Sequence, residues 1–186
     1  LTRFQDFPLR ELVDYIDWTP FFQSWELSGR YPAILHDPVV GVQASELFDD
    51  AQRMIGQIID GHWLTANGVV GIWAAHSVGD DVEVFNGHGG ELAVIQCLRQ
   101  QVEKPAERPD FCLADFIAPH DSGRKDWFGA FAVTTGLGCE DRARAFESAH
   151  DDYSAILLKS LADRFAEAFA ECLHAKVRKQ LWGYAA

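Results

Sequence analysis

Three groups of side chains in this chain could carry chemistry. Asp17 stands directly before Trp18 and close to Phe21 and Phe22. A carboxylate among aromatic rings suits an ammonium or sulfonium cation, through ion pairing and cation–π contact. Thr19 followed by Pro20 predicts a helix start with Thr19 as the cap and Pro20 at the first helical position, which releases Asp17 from capping. The competing role for Asp17 is the cap itself, and on residue types alone that role carries more weight. Glu167 forms an i, i+4 acidic row with Asp163 and Glu171, on a face shared with Ser160 and His174. Such a row is mildly self-repelling, and a solvated face and a cation-binding wall both fit it. His150, Asp151 and Asp152 could bind a metal, but a helix begins there, and capping and dipole contact account for the two aspartates better.

Generic catalytic patterns are missing from the sequence. It contains no G-x-G-x-x-G, G-x-x-x-x-G-K-[ST], H-E-x-x-H or G-x-S-x-G, which disfavours the commonest nucleotide-binding, zinc-protease and serine-hydrolase chemistries. Cys97, Cys112, Cys139 and Cys172 include no C-x-x-C pair, so a structural zinc site is disfavoured. These thiols read as small buried apolar residues in a reducing compartment, with the cytoplasm as the default location. No catalytic residue and no metal ligand is assigned.

The elements that must position Asp17 and Glu167 are helices. Leu9 to Ile16 predicts a short helix, and the one beginning at Thr19 is ended by Gly29 and Pro32. Leu47, Phe48, Ala51, Ile55, Ile58 and Ile59 recur near helical spacing within a third helix, Ser45 to Ile59, closed by Gly61. Asn67 to Ala75 and Asp81 to Phe85 read as strands joined by a turn at Gly79-Asp80. Leu92 to Leu98 fits either a strand or the start of a helix. Gly87, Gly89 and Gly90 mark a loose turn, and Trp127 to Thr135 predicts a strand closed by Gly136. Glu140 to His150 forms a helix, and Asp151 to about Leu181 a much longer one. Its apolar row, Tyr153 to Leu181 in steps of four, drifts by about 40° per step, and Ile156, Ala168 and Cys172 widen the stripe. Helices at both ends with strands between them give the α+β class.

Composition sets the outer bounds. The chain has 186 residues, 48% of them apolar, with thirteen Phe and six Trp. That length buries roughly two-thirds of the unfolded surface, enough for a core without staples. No apolar run approaches the ~18 residues that a membrane-spanning helix needs. The chain begins at Leu1 without a start Met or a leader, so it reads as a piece of something longer. The net charge is −12, from 28 acidic and 16 basic residues. This disfavours nucleic acid and anionic lipid, and suits a cationic ligand, a basic partner or plain solubility.

Taken as strings, several segments resemble the activation domain of cobalamin-dependent methionine synthase. They are Tyr15 to Phe22 (YIDWTPFF), Trp25 with Gly29 to Pro32, Gly68 to Gly71 (GVVG), and Gly79-Asp80-Asp81. Leu98 to Gln101 (LRQQ), Cys112 to Phe116 (CLADF), Gly129 to Thr134 (GAFAVT) and Asp151 to Tyr153 (DDY) continue the series. The longest is Leu161 to Tyr184, LADRFAEAFAECLHAKVRKQLWGY. These strings occur in family order from residue 11 onward.

The resemblance implies one C-shaped α+β domain over residues 1–186, with a twisted antiparallel sheet, flanking helices and a long C-terminal helix. It implies S-adenosylmethionine bound in a shallow groove, and a cobalamin-binding partner domain or subunit. Flavodoxin or a flavoprotein reductase supplies an electron, and S-adenosylmethionine then supplies the methyl group that turns oxidised cobalamin back into methylcobalamin. It assigns the groove's aspartate to Asp17 and its glutamate to Glu167, reversing the weight given to capping and to a solvated face. The family continues past W-G-Y with an R-x-x-x-G-Y segment that grips the ligand, so a chain ending at Ala186 is expected to lack part of the site. The alternatives are a module that docks on a cobalamin protein or flavoprotein without holding S-adenosylmethionine, and a relative adapted to another corrinoid methyltransferase.

Overall fold

Period-two and period-3.6 patterns both become structure here, in the order the sequence sets. The structure, a computed structural model, describes residues 1–105 and 107–185. It is an α+β fold with five strands in one sheet: β1 (Thr2–Phe4), β2 (Thr65–Val78), β3 (Asp81–Phe85), β4 (Glu91–Gln96) and β5 (Asp126–Leu137). The hydrogen-bonded order is β1-β2-β3-β4, with β5 also paired to β2. β2 with β3 and β3 with β4 are antiparallel, and the β3–β4 ladder has an irregularity between Val84 and Phe85. The Leu92 to Leu98 ambiguity resolves as a strand. Val78 opposes Asp81 across the two-residue turn Gly79-Asp80, where Gly79 takes φ 62°, a conformation that costs glycine little.

The described residues cluster into two compact units. The strand-rich unit comprises Leu1–Thr2 and Val70–Phe131. Its core is one face of the sheet, Ala75, Val82 and Val84, closed by Cys112 and Ala114 and flanked by Trp73, Ile95, Ile117 and Phe128. Arg99 ties the segment after β4 back onto the β2–β3 turn. Its guanidinium donates to Asp80 at 2.6 and 3.1 Å, to both oxygens of Asp115 at 2.8 Å, and to the Asp110 carbonyl at 2.6 Å.

The helix-rich unit comprises Arg3–Val69 and Ala132–Ala186. A 3-10 turn over Leu9–Tyr15 is followed by α1 (Trp18–Ser24) and α2 (Gly41–Asp60), and later by α3 (Cys139–Ser148) and α4 (Asp152–Lys176). α2 begins four residues ahead of the expected Ser45. Asp37 accepts hydrogen bonds from the amides of Val39 and Val40 at 2.8 and 3.0 Å, which starts the turn early. Those two bonds hold the Asp37 carboxyl below the usual carboxylate range. α1 is shorter than expected and ends at Ser24, well before Gly29.

α4 is the spine of this unit. Leu157, Leu161, Phe165, Phe169, Leu173 and Val177 are buried along the four-residue row, as are Ala168 and Cys172. Five steps of ~40° turn that row through about 200°, so this helix is covered on more than one side. Tyr153 at one end of the row is 44% exposed, and Ile156, expected in the stripe, is 56% exposed. Ala168 and Cys172 stand at the same offset from the row and are buried, so the stripe widens only further along the helix. Phe169 stacks on Phe7 with centroids 4.7 Å apart, and Thr135 Oγ1 donates to the Ala162 carbonyl at 3.0 Å. No described helix is long and apolar enough to cross a membrane.

Candidate functional site

Asp17 starts α1. Its backbone is extended (φ −80°, ψ 113°) and its Oδ1 accepts a hydrogen bond from the Thr19 amide at 2.9 Å. The expected cap at Thr19 is therefore corrected to Asp17. Thr19 is the second helical residue and Pro20 the third, still within the first turn, where a missing N–H leaves no helical bond unmade. The Thr19 hydroxyl accepts from the Tyr31 amide at 3.3 Å instead. Asp17 is exposed, and its second oxygen has no partner among the described residues.

The aromatic seat expected around Asp17 is also corrected. Trp18, Phe21 and Phe22 are 8%, 0% and 0% exposed. They pack on one another and on Phe48, with Trp18 and Phe48 centroids 4.8 Å apart. Trp18, Phe21 and Phe22 share one face of the helix at i, i+3 and i+4, and apolar burial takes that face inward. Asp17 keeps its charge at the surface, above a core that fixes α1.

Glu167 lies on the exposed side of α4. It does not stand as a simple repelling row with Asp163 and Glu171. Arg164 intervenes, donating to Glu167 Oε2 at 2.8 Å, to Glu167 Oε1 at 3.2 Å and to Asp163 Oδ2 at 2.5 Å. The arginine side chain is 10% exposed, against 69% for Asp163 and 61% for Glu167. Sequence reasoning passed over Arg164. The available signal was a basic residue within the apolar stripe, three after Leu161 and four before Ala168, with an acid three residues further on.

Two contacts bracket both carboxylates. Ser24 Oγ lies 3.4 Å from Ser160 Oγ, and Lys176 Nζ lies 3.5 Å from Glu11 Oε2. Residues 11 to 24 therefore run antiparallel to α4. Asp17 falls between Glu11 and Ser24, and Glu167 between Lys176 and Ser160, a stretch of about 24 Å of helix. Among the described residues no direct bond joins them.

Asp151 is committed to capping. It accepts from the Ser154 amide at 3.0 Å, which lowers its pKa, so the metal reading of His150, Asp151 and Asp152 loses a ligand. Among the described residues no group of His, Cys, Asp or Glu is arranged to hold a metal ion. All four cysteines are free thiols; Cys112, Cys139 and Cys172 are buried, and burial raises the pKa of Cys139 and Cys172. Cavity size does not mark the site. An opening of about 680 Å³ lies in the strand-rich unit along Ser77, Asp115 and His120, and one of about 260 Å³ in the helix-rich unit between Trp25, Asp50 and Tyr153. Neither is lined by Asp17 or Glu167.

The fold is α+β, and it carries the two exposed carboxylates on helices of the helix-rich unit. The chain belongs to the family described as the vitamin B12 dependent methionine synthase activation domain, which residues 8–186 match. It is similar to a solved structure described as the MetH reactivation domain bound to AdoHcy, with 49% sequence identity and a TM-score of 0.92. That likeness covers 98% of this chain, which spans 56% of the other.

Proposed function

We propose that this chain, taken over residues 1–186 as one activation domain, is the S-adenosylmethionine-binding reactivation module of a cobalamin-dependent methionine synthase. The observation that carries this reading is the 49% identity, over 98% of the chain, to a reactivation domain holding AdoHcy. S-adenosylhomocysteine is what remains of S-adenosylmethionine once the methyl group has left, so the neighbour holds the product of that transfer.

Asp17 and Glu167 serve the ligand's positive groups. S-adenosylmethionine carries a fixed sulfonium and, at neutral pH, an ammonium. Each carboxylate stabilises the bound cation by a charge-assisted hydrogen bond or a short ion pair. Asp17 can do so while capping α1, because Oδ1 takes the Thr19 amide and the residue is exposed. Cobalamin, carried by a partner domain or subunit and reduced through flavodoxin or a flavoprotein reductase, supplies the nucleophile that accepts the methyl group. The chain's own residues bind and orient the donor, and no side chain has to move a proton. This work suits the cytoplasm, where four unpaired thiols stay reduced.

Calorimetry of S-adenosylmethionine with the full-length protein tests the assignment. Asp17→Asn and Glu167→Gln are each expected to weaken binding by about 1.5–3 kcal/mol, the range for a hydrogen bond to a charged group. Undiminished affinity in both variants removes these residues from the site. No binding by the wild type favours a module that docks on a cobalamin protein or flavoprotein without holding S-adenosylmethionine.

A further inference from the structure

We infer that Arg164 is a positioning residue for the ligand groove, fixing the Glu167 carboxylate in the orientation that meets the ligand's cation. This rests on the reading of Glu167 given above. Arg164 is a buried cation at a position of α4 where the neighbours along the stripe, Leu161 and Ala168, are apolar. A charge there is costly unless its donors are satisfied, and here they are spent on two surface carboxylates. The guanidinium comes from inside and its partners stand outside, so it anchors those partners to the rigid part of the helix.

The geometry shows why anchoring leaves Glu167 available. A carboxylate has about four lone-pair sites, and the fork at 2.8 and 3.2 Å occupies one on each oxygen. About two sites remain on a side chain that is 61% exposed. Asp163 supplies a second negative charge on the same guanidinium, so the three groups together keep a net negative charge. A glutamate without such a fork samples several rotamers on an exposed helix face, and a ligand would have to order it on binding. With the fork in place that ordering is already done.

The test is a double-mutant cycle on S-adenosylmethionine affinity in the full-length protein, using Arg164→Lys, Arg164→Gln and Glu167→Gln. Lysine keeps the charge and loses the fork, which separates orientation from electrostatics. Both Arg164 variants are expected to weaken binding roughly ten-fold. In a Glu167→Gln background the same changes should have little further effect. If Arg164→Gln fails to fold, Arg164→Lys carries the cycle alone. Arg164 variants that bind as tightly as wild type or tighter, while Glu167→Gln binds weakly, overturn the positioning role and leave the ligand site standing. Independent, additive losses also overturn it, since they mark a general structural effect. Wild-type affinity in all three variants overturns it together with the assignment of Glu167.

Discussion

Asp17 accepts the Thr19 amide at 2.9 Å, so the residue assigned to the ligand also starts the helix that presents it. The two roles separate by substitution. Asp17→Asn keeps a good cap and loses the charge, and should leave the melting temperature nearly unchanged while weakening S-adenosylmethionine binding. Asp17→Ala loses both, and should cost a further 0.5–2 kcal/mol or so of stability. Thermal melts and calorimetry on the pair check this. Equal destabilisation with unchanged affinity in the folded protein returns Asp17 to a purely structural role.

The long helix and the central strands are legible in the sequence because their periods are strong and their turns carry glycine. Asp81–Phe85 forms with the expected bounds, and the row from Leu157 to Val177 is buried as its spacing implies. Local competition between near-equal signals hides the rest. Asp17 and Thr19 are both good caps two residues apart, and only the packing of Trp18, Phe21 and Phe22 decides between them. The candidate site was legible only as two carboxylates. The fork that holds Glu167 depends on Arg164 folding inward, and a charged residue carries no periodic signal of burial.

The GVVG string has a packing reason that sequence pattern does not show. A Cβ on Gly71 would collide with the Trp73 ring, and one on Gly68 would come within 2.9 Å of the Phe169 ring. Replacing a strand glycine by alanine usually stabilises slightly through the unfolded chain. At Gly71 the sign should invert, with Gly71→Ala costing about 1–3 kcal/mol as Trp73 is displaced. Denaturant unfolding monitored by tryptophan fluorescence measures it, and a neutral or stabilising result contradicts the packing.

Acid should loosen the Arg99 clamp. The guanidinium beside Asp115, together with the Cys112 amide, holds the Asp115 carboxyl down to about 2. A depressed folded pKa stabilises fully above the unfolded value near 4, and the contribution fades as pH falls toward 2. Asp115→Asn should therefore melt below wild type at neutral pH, with the gap closing between about pH 4 and pH 2. A gap that stays constant across that window argues that Asp115 contributes nothing through its charge.

Methyl transfer in the full-length protein is the most direct test of the proposed function. Oxidised cobalamin bound to that protein is given a one-electron reductant and S-adenosylmethionine labelled in its methyl group. The account predicts label on cobalamin, S-adenosylhomocysteine in equal amount, and a half-saturating donor concentration raised roughly ten-fold or more by Asp17→Asn or Glu167→Gln. Reduction without label transfer, or transfer with an unchanged donor requirement in both variants, would contradict it.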